Sequence, residues 1–89
     1  MKSYRFLVSG KVQGVYYRKN VAKNANTQKF YGYVKNLPDR TVEAVVTCEE
    51  HRLNDFIQIL KKGSPSSIVK DIKQFDNIEK IYHDKFKIM

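Results

Sequence analysis

Arg18 stands where a glycine-containing loop, GKVQGVY (10–16), gives way to a helical texture, and Asn36 closes the aromatic stretch FYGYVKN (30–36). A loop that enters a helix presents main-chain N–H groups without partners of their own, at the positive end of the helix dipole. Gly14 lets such a loop turn inward and meet a ligand with no Cβ in the way. Gln13, Gly14, Val15, Tyr16, Tyr17 and Arg18 can then form a main-chain cradle for an anion, and the Arg18 guanidinium can add a bidentate, charge-assisted pair to phosphate oxygens. A glycine loop before a helix is also an ordinary turn, and an arginine in a first helical turn is also an ordinary solvated residue, so this stretch alone leaves both readings open. Its spacing fits neither a Walker loop nor a dinucleotide fingerprint. Asn36, just before the LPDR turn, suits a turn former; its amide also suits the holding of one water, as donor and acceptor at once. Gly32, between two tyrosines, points to a close backbone approach or a packing gap on a strand.

The elements that must position these residues follow from the patterning. YRFLVSGKV (4–12) is a strand candidate, and YRKNVAKNANTQK (17–29) a helix with Tyr17, Val21 and Ala25 on one face and Ala22 beside them. FYGYVKNL (30–37) and TVEAVVTC (41–48) read as strands joined by a turn at Pro38 and Asp39, the second with Val42, Ala44 and Val46 on one face. The clearest helix is EEHRLNDFIQILKK (49–62), where Leu53, Phe56, Ile57 and Leu60 form the expected buried stripe and Gly63 a natural stop. IVKDIKQF (68–75) alternates imperfectly, as a strand with a bulge does, and HDKFKIM (83–89) suits a short final strand with Phe86 and Ile88 on one face. The order β-α-β-β-α-β, with an optional fifth strand, predicts an α+β, ferredoxin-like split βαβ sandwich: an antiparallel sheet with two helices on one face, the other face partly open.

With 89 residues, 42% of them hydrophobic and 29% charged, the chain is expected to form one domain, 1–89, around a modest core. No apolar run approaches the ~18–20 residues that span a bilayer, so no membrane partner is expected and the cytoplasm is the default location. Cys48 is the only cysteine, which excludes an internal disulfide; it reads as a small buried hydrophobe rather than a nucleophile. The 17 Lys and Arg against 9 Asp and Glu favour anionic partners, nucleic acid or phosphorylated metabolites, although a lysine-rich solvated surface accounts equally well for the scattered lysines.

Taken together, GKVQGVYYR (10–18) resembles the first signature of the acylphosphatases, and GYVKN (32–36) resembles the opening of their second. Chain order, length and the GSPSSIV loop after the second helix fit the same family. The resemblance implies the ferredoxin-like fold and a cytoplasmic, metal-independent hydrolase of the carboxyl–phosphate bond in acyl phosphates, with no cofactor. Carried onto matching positions, it implies that the loop amides from Gln13 to Arg18 and the Arg18 side chain bind the substrate phosphate, while Asn36 orients the attacking water. Small-molecule acyl phosphates and inorganic phosphate are then the partners, no nucleic acid is expected, and a monomer is the default. His51 and His83 lie outside both motifs and read as surface residues.

Two positions depart from the family pattern: Arg40 and Cys48 stand where a glycine is usual. Neither bears the implied chemistry. Arg40 falls, by count, in the slot that needs a positive φ to restore strand twist after a type I turn. The rival class is an RNA-binding module, which shares the element order and stacks bases on sheet aromatics. There the aromatic–glycine pattern belongs on the third strand, whereas KFYGYVKN (29–36) falls on the second. A non-catalytic docking domain of the same family is the other alternative, and intact Arg18 and Asn36 argue against it.

Overall fold

The computed structural model describes residues 1–76 and 78–89 in full and residue 77 by its backbone. The elements are β1 (Lys2–Lys11), α1 (Tyr17–Thr27), β2 (Tyr31–Asn36), β3 (Val42–Cys48), a single 3-10 turn (Glu50–Arg52), α2 (Leu53–Lys62), β4 (Ile68–Ile78) and β5 (Lys87–Ile88). They form one sheet in the order β4-β1-β3-β2-β5. The first three pairings are antiparallel, with Lys2 opposite Cys48 and Val8 opposite Val42, and with Asn36 also opposite Val42. The β5 pairing with β2 is parallel, Tyr33 opposite Lys87 and Val34 opposite Ile88, so the sheet is mixed rather than wholly antiparallel as expected. The cause is topological. β4 ends beside Ser3, at the end of the sheet where β2 begins, so a chain that crosses that end and turns back meets β2 in β2's own direction.

Strand alternation builds the core. Phe6, Val8, Val34, Val42, Ala44 and Val46 are fully buried beneath the helices, with Val21 and Ala25 of α1 and Phe56 and Leu60 of α2. Phe56 sits at the centre, its ring centroid 5.6 Å from Phe6, 5.3 Å from Phe30 and 5.6 Å from Phe86, within the range of favourable aromatic contact. Tyr17, Val21, Ala22 and Ala25 form the buried face of α1, as their spacing indicates. The helix ends at Thr27, not at 29. Lys29 takes a left-handed φ of 61°, and Lys29 and Phe30 donate to the Asn26 and Ala25 carbonyls, which is a Schellman stop.

The second helix departs more from its pattern. Its first turn is 3-10, and the buried residues are Phe56, Ile59 and Leu60, with Leu53 and Ile57 only half-buried. The helix faces two neighbours, sheet and α1, and Ile59 meets α1 in the groove beside Asn24 and Gln28. The expected irregularity of β4 is present as two register shifts against β1, each with the extra residue in β4. Gly32 has φ 144°, and a Cβ there would overlap the Val45 carbonyl, so the close backbone approach is real. Cys48 is buried, and burial pushes its thiol pKa up. His51 and His83 are exposed.

On the helix-free face, Arg5 Nε donates to Glu43 Oε2 at 2.6 Å and Tyr33 Oη to Glu43 Oε1 at 2.6 Å, linking β1, β3 and β2. Burial pushes the Glu43 carboxyl up, but these two hydrogen bonds and the Arg5 charge outweigh it and hold the group below its ordinary value. The segment between β4 and β5 crosses this face at the end of the sheet where β1 and β2 begin. Ser3 Oγ donates to the Lys80 carbonyl at 2.6 Å, the Tyr82 amide donates to Thr47 Oγ1 at 2.9 Å, and the Tyr82 ring packs edge-on against Tyr33. The segment then rounds the β2 edge. Phe86 enters the core from the helix side, its N–H donating to Asn26 Oδ1 and its carbonyl accepting from Asn26 Nδ2.

Candidate active site

At the opposite end of the sheet, β1 runs out at Lys11 and β2 at Asn36, and the loop Val12–Tyr16 connects β1 to α1. Two residues of this loop, Gly14 at φ 72° and Tyr16 at φ 61°, are left-handed, and Val15 between them is not. Such alternation turns successive N–H groups toward one concave side, the geometry of an anion-binding nest. Among the described residues, no main-chain carbonyl accepts from an amide of Gln13 to Arg18. Tyr16 caps α1 without a side-chain hydrogen bond, so the first turn of the helix adds its own unpaired donors.

Three side chains hold the loop in this shape. Gln13 Nε2 donates to the Leu37 and Thr41 carbonyls, both at 2.9 Å, tying the loop to the hairpin between β2 and β3. Ser64 Oγ donates to the Val15 carbonyl at 2.6 Å. Tyr17 Oη donates to the Leu60 carbonyl at 2.8 Å, and its burial pushes the phenol pKa far up, so the donor proton stays in place.

Arg18 is half-buried, and its Nη1 donates to the Met89 oxygen at 2.9 Å; Met89 is in turn fixed by its own amide, which donates to Val34. Gly14, Tyr16, Tyr17, Arg18 and Asn36 line one cavity of about 370 Å³, together with Val12, Lys19 and Ile88. Asn36 Oδ1 is the one buried side-chain polar atom among the described residues without a hydrogen-bond partner. An acceptor left in that state costs about 1–3 kcal/mol unless something donates to it.

Of the residues singled out in the sequence, five therefore meet at one cavity. The side chains of the other two turn elsewhere, Val15 against the core and Gln13 toward the hairpin, which leaves their main-chain amides in the loop. Sequence reasoning missed the Gln13 amide, Ser64, Lys19 and the Met89 contact. Only the serine-rich loop after α2 carried any signal, and that as part of a resemblance. The hairpin itself matches expectation: Arg40 has φ 72° directly after the turn closed by its N–H to the Leu37 carbonyl. Tyr33, which an RNA-binding module would offer for stacking, is committed to Glu43 and Tyr82.

Fold and cavity together define a ferredoxin-like α+β sandwich whose first strand–helix junction, last strand and hairpin enclose one site. The acylphosphatase family model matches residues 4–88. An acylphosphatase of Methanocella arvoryzae is 39% identical over 88 residues, covering 99% of both chains. The crystal structure of acylphosphatase from Bacillus subtilis superposes with a TM-score of 0.91 at 38% identity, covering 100% of this chain and 99% of that one. An acylphosphatase from Coxiella burnetii gives a TM-score of 0.87 at 31% identity, over 99% of this chain and 92% of that one. The chain belongs to the acylphosphatase family. Among the described residues, no helix is long and apolar enough to cross a membrane.

Proposed function

We propose that the chain hydrolyses the carboxyl–phosphate bond of acyl phosphates, releasing a carboxylate and inorganic phosphate. The amides from Gln13 to Arg18 and the Arg18 guanidinium hold the phosphoryl oxygens, and Asn36 holds the attacking water. The observation that carries this reading is the orphaned Asn36 Oδ1, buried and lining the same cavity as Arg18 and the left-handed loop.

An acyl phosphate is a mixed anhydride, and its leaving group is a carboxylate that is stable as an anion near neutral pH. Little acid catalysis is needed at the departing oxygen. Positioning and charge stabilisation can carry the rate. Asn36 Oδ1 accepts one hydrogen of the water and so aims its lone pair at phosphorus. The water oxygen bonds to phosphorus, the bond from phosphorus to the acyl oxygen breaks, and its electron pair leaves with the carboxylate. Both hydrogens of the water stay with the phosphate, one on the oxygen that attacked and one passed to a non-bridging oxygen, so the products are the carboxylate and dihydrogen phosphate. Charge that spreads over the non-bridging oxygens meets the loop amides and the planar donor fork of Arg18. The reading includes residues 1–89 acting as one monomeric, cytoplasmic domain on small-molecule substrates.

Hydrolysis of benzoyl phosphate, with and without a chelator, tests it. Wild type should turn over well above background, and Asn36→Ala should lower kcat by about a hundredfold or more while inorganic phosphate still inhibits. An Asn36→Ala variant with normal kcat would show the asparagine to be a turn former only.

A further inference from the structure

A second cavity, of about 480 Å³, adjoins the first; Lys11, Gln13 and Arg40 line it, and Val12 and Gly14 line both. Gly14 is the saddle between them. A Cβ placed on it would meet no atom within 4 Å, so packing does not fill the space above the glycine.

The far side of this cavity is cationic. Lys11 and Arg40 are exposed, and among the described residues neither forms a salt bridge or donates a side-chain hydrogen bond. The nearby acid, Asp39, is turned to Thr41, whose amide and hydroxyl both donate to its Oδ1. Arg40 is also costly where it stands. Its φ of 72° favours glycine, and a residue with a Cβ held there is a local strain of the kind that gathers at functional positions. The Gln13 amide bonds to the carbonyls on either side of this turn and so fixes Arg40 relative to the loop.

We propose that Lys11 and Arg40 form an anion subsite for the acyl part of the substrate, which makes acyl phosphates bearing a second negative group, a carboxylate on the acyl chain, the preferred class. The inference rests on the phosphate assignment made above. A substrate seated with its phosphoryl group in the loop lies across Gly14 and brings its distal carboxylate between the two cations.

The test compares benzoyl phosphate with its 3-carboxy and 4-carboxy derivatives, whose rigid rings prevent self-cyclisation. The readout is kcat/KM for the better carboxylated isomer divided by that for benzoyl phosphate. Exposed charge pairs contribute small factors, so Arg40→Gln should lower the ratio about threefold and Lys11→Gln/Arg40→Gln about tenfold, mainly through KM. Arg40→Lys, which keeps charge and Cβ, should retain most of the ratio. Added salt should compress it in wild type and hardly in the double variant. An unchanged ratio in the double variant, with benzoyl phosphate still hydrolysed, overturns the subsite and leaves the active-site assignment standing. Wild type that fails to hydrolyse benzoyl phosphate at all removes both.

Discussion

Replacing Gln13 with glutamate exchanges one amide nitrogen for a carboxylate oxygen at a point where two carbonyl oxygens converge. Both partners of the amide, the Leu37 and Thr41 carbonyls, accept hydrogen bonds and donate none, so its nitrogen must face them. Each neutral hydrogen bond contributes about 1 kcal/mol net, and losing two removes ~2 kcal/mol. The new anion also points at two carbonyl dipoles in a half-buried site, which adds roughly 1 kcal/mol. The sum, ~3 kcal/mol, is a large share of the roughly 5–10 kcal/mol that holds a domain of this size together. It corresponds to a fall in Tm of about 12–20 °C. Gln13→Met, which lacks both donor and charge, should lose only the first part. Thermal and urea unfolding at pH 7 would rank wild type above the methionine variant and that above the glutamate variant. At pH 4 the introduced carboxyl of Gln13→Glu is protonated and regains one donor, and the gap between the two variants should close. A glutamate variant as stable as wild type would mean that the amide does not brace the hairpin, and the fixed placement of Arg40 would lose its basis.

Arg18→Lys keeps the charge but loses the planar fork, so kcat/KM should fall by a factor of about thirty or more and phosphate inhibition should weaken with it; near wild-type values of both would refute a bidentate clamp. Arg40→Gly should stabilise the fold by roughly 0.5–1 kcal/mol, the relief of a left-handed Cβ less the greater unfolded entropy of glycine, and a clear loss in urea midpoint would refute it. Glu43 titrates lower folded than unfolded, so its stabilisation is complete above its ordinary value of 4.5 and is lost as pH falls through the folded value. Glu43→Gln should therefore be the less stable protein at pH 7 and nearly equal to wild type once the pH is low enough to protonate the folded carboxyl; a gap that persists there would assign the loss to packing.

Periodicity carried the two helices, four of the strands and their order, because each buries a face against the same core. Turn chemistry, not periodicity, carried Arg40, since a type I turn in a hairpin sets the sign of φ at the next residue whatever its identity. What neither could carry depends on neighbours distant in sequence. Ile59 is buried because α1 lies beside it, and nothing within residues 49–62 records that. The parallel direction of β5 follows from where β4 ends, and its two residues are too few for a pattern. At the site, Arg18 and Asn36 were legible as chemical groups at element ends. The Gln13 amide was not, because a glutamine that spans 24 residues to reach a hairpin looks like any polar loop residue.

The segment that rounds the β2 edge governs the order in which the molecule can assemble. Its contacts join residues 60 and 77 positions apart, Asn26 with Phe86 and Ser3 with Lys80, among the longest loop closures available to an 89-residue chain. Closing them early would cost loop entropy with little else formed to offset it. Loop entropy therefore favours the β1–β3 and β2–β3 pairings forming before the segment docks. Until it does, β2 is an open edge with unpaired main-chain groups, and Phe56 lacks one of its three aromatic neighbours. An uncovered β2 edge can pair with another copy, and the docked segment covers it by pairing Tyr33 and Val34 with Lys87 and Ile88.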